Sequence, residues 1–82
     1  MVIVGNFLVE GLIDITPSNT AEIAEPYNQG LYVTGAGNVA ITFRDGTSQT
    51  LTFAAGAILY ARIKRVNATG TTATVKGVHL LA

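Results

Sequence analysis

The hydrophobic pattern is clearest between residues 30 and 66. Val39, Ile41 and Phe43 alternate with Ala40, Thr42 and Arg44, the two-residue period of a half-buried strand. Asp45-Gly46 follows. That pair is favoured in tight two-residue hairpins, where both turn positions take positive φ. Thr47–Phe53 then returns, with Leu51 and Phe53 on the core face and Thr50 and Thr52 outside. Leu31–Thr34 predicts the strand before this hairpin, with Gly35–Asn38 as the turn between them. Gly56 marks the next turn. Ile58–Val66 predicts one continuous strand, with Leu59, Ala61 and Ile63 on one face and Tyr60, Arg62 and Lys64 on the other. The parity breaks at Arg65-Val66, as at a bulge or a strand end. After a loop with Gly70 at its tip, Thr74–Leu81 predicts the last strand.

The N-terminal third is less regular. Met1–Ile15 is rich in Val, Ile, Leu and Phe and is interrupted by Gly5 and Gly11. It predicts one or two strands, or an extended arm. Thr16–Gly30 holds both prolines, Pro17 and Pro26. It predicts a long loop with a helical turn near Thr20–Ala24, and loops of that length in small domains are often functional. No segment sustains a helical period. The expected fold is all-β: a small antiparallel β-sandwich or barrel of about six to seven short strands. Residues 1–82 form a single domain, with 1–15 as an extra strand or arm and 16–30 as a long loop.

Length sharpens this expectation. A chain of 82 residues buries only roughly 60 % of the surface its unfolded form exposes. Small domains usually add a disulfide, a metal or a partner. There is no cysteine, one histidine and five scattered carboxylates, so no metal site and no cofactor is expected, and self-association is the remaining route. Charged residues make up 12 % of the chain, against about 25 % in typical soluble domains. Apolar residues make up 49 %, and mean hydropathy is +0.43. Part of that apolar surface is expected to face other subunits.

The net charge is zero but unevenly placed. Residues 1–43 hold Glu10, Asp14, Glu22 and Glu25 and no base; residues 44–82 hold Arg44, Arg62, Lys64, Arg65 and Lys76 against Asp45 alone. The halves therefore either meet across a head-to-tail interface or cancel within one fold. The apolar runs are shorter than the ~20 residues a membrane helix requires, so no membrane partner is expected. The N-terminus lacks the basic region of a signal peptide.

Candidate chemistry is sparse. Gly35-x-Gly37-x-x-Ala40 has the spacing of a dinucleotide-binding turn, which must open a helix and be followed by an acid about twenty residues on. Here it opens a β-branched strand, and Ala55 stands where the acid would be. These are turn glycines. His79 stands alone in an apolar strand, and no catalytic constellation can be assembled around it. Arg62, Lys64 and Arg65 form a basic face beside Tyr60, a pattern that can bind single-stranded nucleic acid. The neutral total, with a pI near 6.5, argues against that partner. Asn67-Ala68-Thr69 is a formal glycosylation sequon, read as coincidence within a turn.

Four stretches carry a resemblance: "ITPSNT" (Ile15–Thr20), "GLYVTGAGNVAITF" (Gly30–Phe43), "LTFAAGAILYARIKRV" (Leu51–Val66) and "ATGTTAT" (Ala68–Thr74). Together they cover over half of the chain, which resembles small phage structural proteins. These include the head spike-base proteins of phage-like gene transfer agents and related capsid decoration (cement) proteins. The N-terminal "MVIVGNFLVEGLID" is longer and more apolar than the short polar lead of that family.

The resemblance implies a non-enzymatic virion protein with a β-sandwich or barrel fold. It would be made in the host cytoplasm and carried on the outer surface of the phage head. The partners it implies are copies of itself in a trimer or pentamer, the major capsid protein and a spike or fibre protein. The alternatives are a tail or baseplate component, or a carbohydrate- or single-strand nucleic-acid-binding module. Val2, Ile3, Phe7 and Leu8, with Ile23 and Tyr27 of the long loop, are the expected subunit or capsid contacts.

Overall fold

The computed structural model describes residues 2–4 and 7–80, with side chains from Val9 to Leu80. The strands are β1 (Val2–Val4), β2 (Phe7–Asp14), β3 (Leu31–Gly35), β4 (Gly37–Phe43), β5 (Ser48–Phe53), β6 (Ile58–Leu59), β7 (Ile63–Val66) and β8 (Thr74–Leu80). They form two antiparallel sheets, ordered β1-β2-β8-β3-β6 and β5-β4-β7. The all-β expectation holds, with six strands of four residues or more and two shorter ones. Leu31, Val33 and Val75 of the first sheet meet Val39, Ile41, Ile63 and Val66 of the second in one buried cluster. Each such side chain stabilises by about 1.5–3 kcal/mol when fully buried. Phe43, Leu51 and Phe53 pack on its margin, as the alternation of the hairpin predicts.

The Gly-x-Gly stretch is a corner between the sheets. β3 lies in the larger sheet and β4 in the smaller, and only Ala36 separates them. Gly37 takes φ +152, and a Cβ there would lie 2.6 Å from Thr72 Oγ1 and 2.9 Å from the Ala73 nitrogen. The chain turns here because its backbone can press against the Thr71–Ala73 segment. That segment bonds the flank of β4 that β7 leaves open. The Asn38 and Ala40 amides donate to Thr72 Oγ1 and Thr71 Oγ1, each at 2.9 Å. The Thr72 and Ala73 amides donate to the Asn38 carbonyl at 2.8 and 3.1 Å, and the Asn67 amide to the Ala40 carbonyl at 2.8 Å. Ala40 and Thr42, expected to face outward, are consequently 8 % and 4 % exposed. Gly70 packs on the Ala40 methyl, and the Asn67 amide donates to Thr42 Oγ1.

Three other expectations change. The hairpin turn holds three residues, Arg44 to Gly46, because Thr42 pairs with Ser48. The Gly46 amide donates to the Phe43 carbonyl, and the Phe43 amide to Thr47. Within the turn only Gly46 has positive φ, so this is a type I turn followed by a left-handed glycine. Ile58–Val66 is not one strand: β6 and β7 belong to different sheets. The parity break is a bulge at Lys64, since Thr42 faces Arg65 and Phe43 faces Ile63. It turns Ile63 and Val66 both inward, leaving Lys64 and Arg65 on the outer side.

The fourth change is in the long loop. The expected helical turn at Thr20–Ala24 is absent; instead the chain turns at Glu25–Tyr27, where Glu25-Pro26 is cis and the Tyr27 amide donates to the Ala24 carbonyl. The loop runs along the free side of β7. The Ser18 and Ile23 amides donate to the Val66 and Lys64 carbonyls at 2.8 and 3.0 Å, and the Ile63 amide donates to Asn28 at 2.9 Å. It thereby takes the place of a fourth strand in the smaller sheet, and the Tyr27 carbonyl passes over Gly77 of β8.

Three substitutions check this account by their effect on stability. Gly46→Ala, with φ +93 but open space around it, is expected to cost about 1–2 kcal/mol. Gly37→Ala adds a backbone collision to a strained φ and is expected to cost at least ~3 kcal/mol in denaturant unfolding. Thr71→Val keeps the shape but orphans the Ala40 amide, for an expected loss of about 1–3 kcal/mol.

Candidate assembly surface

The expected contact residues divide between two places. Val2 and Ile3 lie on β1, and Phe7 and Leu8 on β2, in an antiparallel hairpin that pairs Ile3 with Leu8 and Val2 with Val9. Their side chains lie outside the described ones. β2 in turn pairs with β8, from Val9–Leu80 to Asp14–Lys76, so β1 and β2 extend the larger sheet and β1 forms its margin. Ile23 and Tyr27 make contacts within the chain. Ile23 is half-buried against the core. The Tyr27 ring lies on Gly11 of β2 and meets His79 edge-on, with centroids 5.7 Å apart. Both therefore fasten the long loop to its own sheets.

Among the residues with described side chains, Leu12 is the one large hydrophobic residue in the exposed class, at 40 %. Ile13, Leu51, Phe53, Ile58 and Leu59 are half-buried.

The bulge leaves Lys64 and Arg65 side by side on the outer side of the smaller sheet. Arg62 is exposed, while Lys64 and Arg65 are half-buried. Arg65 Nε donates to Asn67 Oδ1 at 2.9 Å. Arg62 is drawn towards the acidic loop, adding a favourable charge at Glu25. The two ion pairs among the described residues both join the acidic half to the basic half. Arg44 Nη2 meets Glu25 Oε1 at 2.6 Å, and Lys76 meets Asp14. The charge asymmetry is thus in part cancelled inside one subunit. Sequence reasoning gave Glu25 and Arg44 no joint role. Nineteen residues separate them, and only the course of the long loop brings them together.

The hydrogen bond from Arg44, followed by its charge and a bond from Asn28, holds the Glu25 carboxyl below the ordinary carboxylate range. Thr47 does the same for Asp45, through its hydroxyl and its amide. Both carboxylates are solvent-exposed, so the contacts orient the turns more than they stabilise the fold. Beside the loop lies a cleft of about 190 Å³, whose lining includes Ile13, Ile15, Ile23 and Val66 together with Asp14 and Glu22. Small-molecule sites usually measure about 300–1,000 Å³. Among the described residues no three His, Asp or Glu side chains gather where they could hold a metal ion.

No family model matches the chain, and no curated protein is similar to it. It is similar to a chain of a solved structure, the capsid of a native gene transfer agent particle computed with C5 symmetry. That likeness has a TM-score of 0.79 and 37 % identity, and spans 87 % of this chain and 83 % of that one.

A titration tests the electrostatics. Because the folded pKa of Glu25 is lowered, its contribution is present above the ordinary carboxylate value and fades as pH falls through the folded value. Arg44→Gln is expected to move the Glu25 carboxyl back up towards the ordinary value, read by carboxyl NMR between pH 2 and 7, with Asp45 unmoved.

Proposed function

This chain belongs to the family of phage-like virion proteins represented in that gene transfer agent capsid, and from that premise we propose that it is a capsid decoration or head spike-base subunit. In this reading a homo-oligomer sits on the outer surface of the head, binds the major capsid protein and stabilises the shell. It offers its far side to a spike or fibre protein. The observation that carries the proposal is the likeness to a capsid chain along most of both sequences.

The physical chemistry of the subunit is in keeping with a scaffold. Ten charged side chains leave most of the surface neutral, and the cleft beside the loop is small. The N-terminal hairpin is apolar and lies at a sheet margin, where it can meet a neighbour without opening the core. Apolar area buried across a joint between capsid subunits stabilises it by about 25 cal/mol per Å². A closed oligomer that touches several joints gains avidity without any tight single contact.

Deleting residues 1–9 tests the hairpin's part in this. It removes β1 and the start of β2 and leaves the Gly11–Asp14 pairing with β8 in place. The expected outcome is a lower native mass or a loss of capsid occupancy. Unchanged mass together with unchanged occupancy would overturn the contact role of Val2, Ile3, Phe7 and Leu8.

A further inference from the structure

The edges of the two sheets are not equally closed. The outer side of β7 is bonded by the long loop at Ser18, Ile23 and Asn28. β6 is two residues long and leads directly across to the other sheet. Among the described residues this leaves two open margins, β1 in the larger sheet and β5 in the smaller.

β5 has the backbone phase of a docking strand. The Phe43 amide donates to the Thr47 carbonyl. With the register of the hairpin, this makes Ile41–Gln49, Val39–Leu51 and Gly37–Phe53 the bonded pairs. The N–H and C=O groups of Ser48, Thr50 and Thr52 therefore point away from β4. The matching outward groups on the other side of β4, at Asn38 and Ala40, do find partners in Thr71 and Thr72, which fixes the phase independently. Ser48–Phe53 contains no Lys, Arg, Asp, Glu or Pro, so it lacks the usual devices that keep an edge from pairing. Ser48, Gln49, Thr50 and Thr52 are all exposed.

The second open edge lies on the opposite flank. β5 runs through the Ala54–Ala57 turn to β6, with the Gly56 amide bonded to the Val33 carbonyl, so β5 lies over the β3-β6 side. β7 stands over the β8-β2 side, joined to it by the long loop. β1, an uncharged Val-Ile-Val strand, is the margin beyond β2. Two different open edges on opposite flanks fit head-to-tail repetition, which gives a ring when the rotation between subunits closes; pairing β5 with itself would stop at a two-fold dimer.

We infer that the outer edge of β5 receives β1 of a second copy of this chain. The smaller sheet of each subunit then continues into the larger sheet of the next. This rests on the homo-oligomeric reading above and names the strands that would build it. Backbone pairing supplies the fit and the uncharged edges impose no repulsion. Each subunit has one donor and one acceptor edge, so the ring consumes both.

The chain has no cysteine, which makes a crosslinking test clean. Ile3→Cys combined with Thr50→Cys places thiols at the centres of the two strands, where neighbouring Cα atoms of a paired sheet are about 5.5 Å apart, within disulfide reach. Ser48→Cys or Thr52→Cys in place of Thr50→Cys covers a register shift of two. Mild oxidation is expected to give a ladder of covalent oligomers whose largest rung equals the native mass of the wild type. Thr50→Pro, which removes an outward N–H, is expected to lower the native mass to the 8.5 kDa monomer with an unchanged far-UV spectrum. A wild type that is oligomeric while no cysteine pair crosslinks and Thr50→Pro keeps its mass overturns this docking and leaves the homo-oligomer standing. Covalent dimers from Thr50→Cys alone overturn it in favour of β5 self-pairing. A proline variant that keeps its mass but loses capsid occupancy assigns the edge to the capsid protein instead. A wild-type monomer at micromolar concentration overturns the homo-oligomer reading, and this docking with it.

Discussion

Closing the open flank of β4 is the constraint on which the rest of the structure depends. β7 covers only Ile41–Phe43 of that strand. Asn38 and Ala40 would otherwise present unpaired backbone groups beside a core of fully buried Val39 and Ile41. Two threonine hydroxyls and the Thr72, Ala73 and Asn67 amides supply the missing partners. For this to work the backbone must come within van der Waals contact of Thr72 at the crossing between sheets, and a glycine at Gly37 allows it. The Gly-x-Gly turn and the Thr-Gly-Thr-Thr loop are distant in sequence, with Asn38 and Thr72 34 residues apart, but adjacent in space, and they form one device that joins the sheets.

The long loop meets a similar need on the other side of the smaller sheet. Three strands face five, so part of the larger sheet would be bare. Residues 16–28 take up that area, bond the outer side of β7 and bring Glu25 to Arg44. The subunit thus satisfies most of its own margins and part of its own charge. Among the described residues the open flanks are the margin at β1 and the edge of β5. A molecule with few charges and a small core gains from assembly only if its open surfaces are this localised; otherwise the same composition would favour indiscriminate association.

The candidate contacts were unevenly legible. The N-terminal strands were marked for their uncharged apolar run before Glu10, and Ile23 and Tyr27 for their place in a long loop; both loop residues are half-buried against their own sheets. A loop's apolar residues look alike in sequence whether they face a neighbour or their own sheet. Strand parity put Arg62 and Lys64 on one face and broke at Arg65; the bulge at Lys64 brings Arg65 to the outer side as well, where it bonds Asn67.

The sequence by itself determined the all-β class, the β4–β5 hairpin and its core face, and the position of each glycine turn. Alternation, β-branching and glycine act over two to six residues and need no distant partner. It also carried the likeness to phage head proteins, through the stretches that form the crossing and the loop bonded to it. Only the tertiary structure decided that Ile58–Val66 divides between two sheets. The same holds for the long loop, which replaces a strand, and for Ala40 and Thr42, which are buried although their parity points outward. Each of these depends on which backbone edge lacks a partner after the strands have paired, and that is a property of the assembled sheets.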